Sequence, residues 1–220
     1  MLVFQKLDFY CERTSSEFWA EPLNALSNAA FIVAAVLLFL VLKKNKIKNH
    51  AIWFSVALIF LIGIGSFLFH TFADELTYYF DVVPIFVFQV FILSETLKTV
   101  FQYNIKTRLM QISIFVVTTL ILSSKNYLHI LNGSLGYIPS ITFLVYLSQQ
   151  SFKKNMMMQK YFLIATIVFA ISLCFRSFDM PLCSFNPHGL HMLWHTLNSV
   201  VLYLLVNIIA QKLILSDSRN

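Results

Sequence analysis

Long apolar stretches separated by short polar ones run through almost the whole chain. Seven of them approach or exceed the length of about 18 residues that an α-helix needs to cross a bilayer. They cover residues 23–42, 51–71, 78–97, 108–123, 134–150, 160–176 and 189–211. The fourth and fifth are the weakest, because Ser, Asn, Gly and Pro interrupt them. The pattern predicts an all-α membrane protein built as a seven-transmembrane-helix bundle.

Composition leads to the same fold class. The chain has 220 residues, of which 58% are hydrophobic and only 12% are charged. A soluble domain with this balance would expose a large apolar surface. Because the connecting stretches are short, we expect one bundle and no second domain. The predicted organisation is an acidic N-terminal segment at 1–21 that packs on the site, the bundle at 22–212, and a short tail at 213–220.

The distribution of basic residues predicts the orientation of the bundle, because inner loops are rich in Lys and Arg. With the N-terminus outside and the C-terminus cytoplasmic, only Lys6, Arg13, Lys125 and Arg176 lie in outer segments. The inner loops and tail then hold the larger group: Lys43, Lys44, Lys46, Lys48, Lys98, Lys106, Arg108, Lys153, Lys154, Lys160, Lys212 and Arg219. The net charge of +6 is therefore a topology signal and indicates no nucleic-acid partner.

Four ionisable residues interrupt the apolar spans at their predicted outer ends. His70 closes the second span, Asp81 opens the third, and His191 and His195 open the seventh. The spacing of i and i+4 places the last two on one helical face. Because such groups are costly in hydrocarbon, their presence favours a functional site. The set predicts a metal site between helices, on the extracytoplasmic side.

Three histidines with an open fourth position are typical of a catalytic zinc site. Zinc lowers the pKa of its bound water to about 7 and polarises a carbonyl group. Asp81 could then carry the proton of this water to a leaving amine. Ser66, one turn before His70, could orient the water or donate to a developing oxyanion. These residues suit hydrolysis of an ester or amide in a lipid.

Simpler interpretations exist for some of these residues. An intramembrane histidine such as His70 can hydrogen-bond across helices without a metal, and Ser66 can simply ease close helix packing. His188, three residues before His191, is an alternative ligand. Haem ligation by histidines is a further class, although two histidines on one helical face suit a single ion better. A retinal protein needs a lysine inside its last helix, and Lys212 lies only at the predicted inner end.

Four short motifs resemble those of the alkaline ceramidases, which belong to a wider seven-helix superfamily that includes the adiponectin- and progestin-type receptors. They are YCER at 10–13, EPLNALSN at 21–28, GSFLFH at 65–70 with Asp81 eleven residues later, and HMLWH at 191–195. The resemblance spans nearly the whole chain, although the middle helices contribute little beyond hydrophobicity. The EPLN run is more similar to the compact prokaryotic members, whose substrates need not be ceramide.

The resemblance implies a zinc-dependent amidase that cleaves the N-acyl bond of ceramide into sphingosine and a fatty acid. It implies His70, His191 and His195 as zinc ligands, with Ser66 and Asp81 holding the water and the substrate. Cys11 and Cys183 both fall on the predicted outer side, where either a disulfide or two free thiols would be compatible with the sequence. The disulfide of the family maps onto this pair.

The eukaryotic ceramidases also bind calcium through an acidic N-terminal cluster. Here Asp8, Glu12 and Glu21 could supply carboxylate ligands of the hardness that calcium prefers. A salt bridge from Arg13 to one of these acids is an equally good interpretation. The expected partners are the bilayer and a lipid substrate, and the oligomeric state stays open. The alternative function is a seven-helix receptor or lipid-binding protein that contains zinc but has no turnover.

Overall fold

The structure, a computed structural model, describes residues 6–127 and 130–217. Arg219 and the rest of 218–220, at the end of the predicted tail, lie outside this part. The described residues form helices and no strands, and eight of the elements are α-helices. They are α1 (Pro22–Ser27), α2 (Ala29–Lys44), α3 (His50–Phe72), α4 (Glu75–Glu95), α5 (Ile105–Leu122), α6 (Ile138–Lys153), α7 (Gln159–Phe178) and α8 (His191–Asp217). A π-helical turn at Thr96–Val100 extends α4, and 3-10 turns at Lys125–Tyr127 and Ile130–Tyr137 precede α6.

Seven segments within the described ranges are long and apolar enough to cross a membrane, which confirms the predicted number. They are Pro22–Lys44, His50–Phe72, Glu75–Val100, Ile105–Leu122, Ile130–Lys153, Gln159–Phe178 and His191–Ser216. The last span ends later than predicted, because α8 continues past residue 211 into the segment predicted as a tail. Leu213, Ile214 and Leu215 are apolar and pack against the core, so the helix gains burial by continuing.

Helix α2 shows why these elements suit a bilayer. One face is buried against the bundle and consists of Phe31, Ala34, Ala35, Leu38 and Leu42. The opposite face is just as apolar yet exposed, with Val33, Val36, Leu37 and Leu40. A soluble helix would carry polar residues there, whereas a membrane helix presents such a face to lipid.

Helices α3 and α4 form a tight antiparallel pair that fixes the position of Asp81. Pro84 cannot donate to the carbonyl four residues earlier, so it leaves the Phe80 carbonyl without its helical partner. This carbonyl lies against Gly65 of α3, where any Cβ would overlap it. The glycine therefore allows the two backbones to approach beside Ser66 and Asp81.

The turn between α3 and α4 is also well defined. Asp74 caps α4 by accepting from the Thr77 N–H at 2.8 Å, and the Thr77 hydroxyl accepts from the Asp74 N–H. This hydrogen bond from the Thr77 backbone lowers the pKa of Asp74. The N-terminal segment crosses the turn, where Leu7 donates to the Ala73 carbonyl and Lys6 to that of Phe72.

Candidate metal centre

The structure brings His70, His191 and His195 together in one buried cluster. One ligand atom from each lies within 4.8 Å of the other two, and the ring centroids are 4.5 to 5.2 Å apart. His70 comes from the last turn of α3, and the other two come from the first turns of α8. Within the described ranges, no other group of three His, Cys, Asp or Glu side chains has this geometry. The cluster could hold one metal ion, and His188 is not part of it.

The hydrogen bonds of two histidines fix which ring nitrogen is free. His70 Nδ1 lies 2.5 Å from Glu21 Oε2, so it donates to the carboxylate. The Ser27 hydroxyl donates to the Asn24 carbonyl at 2.8 Å and lies 2.8 Å from His195 Nδ1. Because a hydroxyl has one proton, Ser27 must accept from His195. In the neutral form, both imidazoles therefore carry their lone pair on Nε2, as metal ligands held by an acceptor at the other nitrogen do.

Unpartnered buried nitrogens support the same assignment. His70 Nε2 and His191 Nδ1 are buried and have no hydrogen-bond partner among the described residues. Such orphaned polar atoms are rare in folded proteins and require an explanation. The Tyr10 ring stacks on His191 with 3.8 Å between centroids and covers the cluster from the N-terminal side. The donor set of three neutral imidazoles suits a borderline-soft ion such as zinc.

Asp179 fixes the start of α8 and so the position of His191. Its Oδ1 accepts from the backbone N–H groups of Leu190 at 2.6 Å and His191 at 2.9 Å. Its Oδ2 accepts from the N–H of Cys11 at 3.0 Å. Gly189 precedes this contact with φ of +68°, and a Cβ there would overlap Asp179. Both the backbone conformation and the close contact therefore require glycine.

A disulfide joins Cys11 to Cys183, across a sequence separation of 172 residues. It ties the N-terminal segment to the loop before α8. Together with the contact to Asp179, it holds Tyr10 over the histidines. The segment at 6–21 is thus packed directly on the cluster.

Ser66 and Asp81 lie beside the histidines on the facing walls of α3 and α4. Both are buried, and the Ser66 side chain faces the Asp81 carboxylate. Asp81 also lies close enough to His70 and Arg176 for an electrostatic interaction with each. Its Oδ1 atom has no hydrogen-bond partner. A carboxylate oxygen is therefore free at the edge of the cluster.

The N-terminal acids have partners within the protein. Both oxygens of Glu12 accept backbone N–H groups, from Leu23 at 2.7 Å and Asn24 at 2.8 Å. Burial nevertheless raises the pKa of Glu12 above its usual value. Asp8 is exposed. Asp8, Glu12 and Glu21 do not form a metal-ligand group among the described residues.

Arg13 forms a salt bridge with one of these acids, which confirms the predicted ion pair. Its Nε lies 2.5 Å from Glu21 Oε1, and its Nη2 donates to the His70 carbonyl at 3.0 Å. Burial raises the pKa of Glu21, but the hydrogen bonds from His70 and the Asn24 amide and the charge of Arg13 outweigh it and lower the pKa. The positive charge beside the Glu21 carboxylate is therefore supplied by the Arg13 guanidinium.

A cavity of about 700 Å³ opens beside the cluster and continues into the bundle. Ser66, Asp81, His191 and His195 line its polar end. The remaining wall is mostly apolar and includes Phe88, Ile92, Leu144, Leu147, Val201 and Leu205. The volume lies within the range of about 300–1,000 Å³ that is usual for ligand pockets.

Sequence reasoning did not assign roles to Tyr10, Ser27 or Arg176. Tyr10 and Ser27 lie inside the motifs at 10–13 and 21–28, but nothing in the sequence indicates which histidine they contact. Arg176 could have been found, because it is a charged residue within the predicted span 160–176. It lines the cavity.

Comparison with known proteins adds one positive finding. A family model described as Ceramidase matches residues 6–220, which is nearly the whole chain. No similar sequence is found among curated proteins.

Proposed function

The chain belongs to the ceramidase family, and from this premise we propose that it is an intramembrane, zinc-dependent amidase. It hydrolyses the N-acyl bond of ceramide or a ceramide-like lipid to a free fatty acid and a sphingoid or other amine base. The single observation that carries the proposal is the buried cluster of three imidazoles at the polar end of an apolar cavity. A packing role does not require three converging ligand atoms. A zinc-containing receptor would share them, so the measurement of turnover below separates it from an enzyme.

His70, His191 and His195 would hold the ion. Zinc bound by three imidazoles supplies an acidified water and polarises the amide carbonyl. Glu21 and Ser27 orient two of the ligands. Each accepts a hydrogen bond from the Nδ1 of a histidine, which holds that imidazole ring with its Nε2 available to the ion.

Asp81 is the proton carrier of the proposed reaction. Its unpartnered Oδ1 would accept a proton from the attacking water, whose oxygen bonds to the acyl carbon. As the carbon–nitrogen bond breaks, the same carboxyl group returns the proton to the amine. Ser66 faces Asp81 and would orient the water or donate to the developing oxyanion. The elements of water are thus divided between the fatty acid and the amine.

The apolar wall of the cavity supports a lipid substrate. Because the cavity lies between membrane spans, an acyl chain could enter it without being exposed to water. The polar end would lie towards the extracytoplasmic side, since the distribution of basic residues favours an outer N-terminus. Burial of the acyl chain along the cavity would bring the amide group of the lipid to the histidines.

The test is release of fatty acid from a panel of lipid amides by purified protein, with bound zinc measured on the same samples. We expect wild type to release fatty acid, His195→Ala to lose both activity and zinc, and Asp81→Asn to lose activity but keep zinc. A useful control is His188→Ala, which lies outside the cluster and should retain both. Zinc-loaded protein that binds these lipids without cleaving any of them would favour a receptor or binding protein instead.

A further inference from the structure

A partly buried arginine faces the same cavity as the histidine cluster. Arg176 lies in the last turn of α7 and lines the cavity. Its Nη1 donates to the Tyr10 hydroxyl at 3.2 Å, while its Nε is buried and has no hydrogen-bond partner. The proposed hydrolysis gives this side chain no role.

Aromatic rings hold the guanidinium in place. Its central carbon lies 5.8 Å from the ring centre of Tyr10, 5.3 Å from Tyr137 and 5.4 Å from Trp194. Cation–π contacts of this kind fix an arginine and stabilise it modestly. They do not neutralise its charge, so the cavity keeps a positive group at a defined place.

No acid of the described chain neutralises Arg176. The ion pairs found there involve Arg13, His70 and Lys98 instead. Asp179, three residues further on, uses both oxygens on backbone N–H groups. Asp81 interacts with Arg176 only at a longer range. A partly buried charge without an ion-pair partner keeps part of its desolvation cost, so an anionic ligand would gain from binding here.

We propose that Arg176 binds a carboxylate of the lipid, and that the preferred substrates are N-acyl amino acids whose amine portion carries this group. The inference rests on the proposed amide hydrolysis at the same site. Tyr10 indicates how far the guanidinium lies from the histidine cluster, because its ring stacks on His191 and its hydroxyl accepts a hydrogen bond from Arg176. The charge therefore lies about one side chain from the histidines. In an N-acyl amino acid, a single carbon separates the amide nitrogen from the carboxylate.

The released fatty acid is a second source of a carboxylate, and the experiment separates the two. Hydrolysis of an N-acyl amino acid is compared with that of a neutral N-acyl amino alcohol of equal acyl chain, in wild type and Arg176→Gln. Inhibition by the free fatty acid is measured in parallel. Arg108→Gln is the matched control, since Arg108 is a partly buried arginine that does not line the cavity.

Loss of a charged hydrogen bond predicts that Arg176→Gln lowers the preference for the acidic amide by about 10- to 100-fold in kcat/KM, mainly through KM. If Arg176→Gln weakens inhibition by the free fatty acid but leaves the preference for the acidic amide unchanged, the carboxylate that Arg176 binds is that of the released product. The proposal is overturned if Arg176→Gln changes neither quantity, or if it lowers kcat equally for both amides with KM unchanged. Arg108→Gln should leave the preference and the inhibition as in wild type.

A binding measurement keeps the proposal testable if Arg176→Gln does not fold or no amide is cleaved. Displacement of a fluorescent fatty acid from wild-type protein is compared for a fatty acid and the fatty alcohol of equal length. We expect the acid to bind about 10-fold more tightly or better, and Arg176→Lys to reduce the difference. Equal binding of acid and alcohol would contradict a carboxylate site. Because this assay needs no turnover, it separates failure at Arg176 from failure of the proposed hydrolysis.

Discussion

At the scale of single residues, the histidine cluster depends on side chains that never touch the proposed ion. Ser27 has one proton and gives it to the Asn24 carbonyl, so its oxygen can only accept from His195. Glu21 does the same for His70 with a carboxylate. Residues at the two ends of α1 therefore set which nitrogen carries the proton in two of the imidazoles.

This arrangement predicts that Ser27→Ala weakens zinc binding by about 10- to 100-fold, because His195 loses the acceptor that holds its ring and tautomer. Competition with a zinc chelator of known affinity measures the change. Ser151→Ala is the matched control, since Ser151 is a buried serine that donates to the carbonyl three residues earlier but contacts no histidine. Equal affinity in wild type and Ser27→Ala would mean that the serine does not support the ligand.

At the scale of helices, the α3–α4 contact predicts a strong effect of Gly65→Ala. The added Cβ would overlap the Phe80 carbonyl, which is backbone and cannot rotate away. The helices must separate beside Ser66 and Asp81, at a cost of about 1–3 kcal/mol. We expect a lower unfolding temperature and a loss of activity with zinc retained.

Gly63→Ala is the comparison within the same helix. Its Cβ would meet Ile32 Cδ1 at 2.9 Å, the far end of a flexible side chain of α2, and face away from the Asp81 contact. A smaller loss of activity than for Gly65→Ala is therefore expected. If both variants lose activity equally at equal stability, the α3–α4 contact is not what positions Asp81.

Much of this architecture could be predicted from local pattern alone. The seven spans follow from the length of the apolar runs, and His70, Asp81, His191 and His195 stand out because ionisable groups are rare in such runs. The break at Asn28, which divides the first span into α1 and α2, could not be predicted in this way. The contacts of Ser27, Tyr10 and Arg176 could not be predicted either. Each contact joins segments more than 160 residues apart, which only the assembled fold brings together.

At the scale of the whole molecule, the N-terminal segment is attached to the bundle by groups of the chain itself. The Cys11–Cys183 disulfide ties it to the loop before α8. Arg13 pairs with Glu21 at the end of this segment and donates to the His70 carbonyl of α3, while Glu12 caps the start of α1. A guanidinium beside two acceptor groups supplies the positive charge that a bound calcium ion would otherwise bring.

This arrangement predicts different responses to two metal ions. An ion that binds the folded protein raises its unfolding temperature in proportion to the logarithm of concentration over Kd. Zinc added to metal-free protein should raise this temperature and restore activity, whereas millimolar calcium should do neither. Arg13→Gln should lower the unfolding temperature, because Glu21 then lies buried without its paired charge. A rise with calcium in wild type would show that the acids bind it despite Arg13, whereas a rise in Arg13→Gln alone would show that the guanidinium takes the place of the ion.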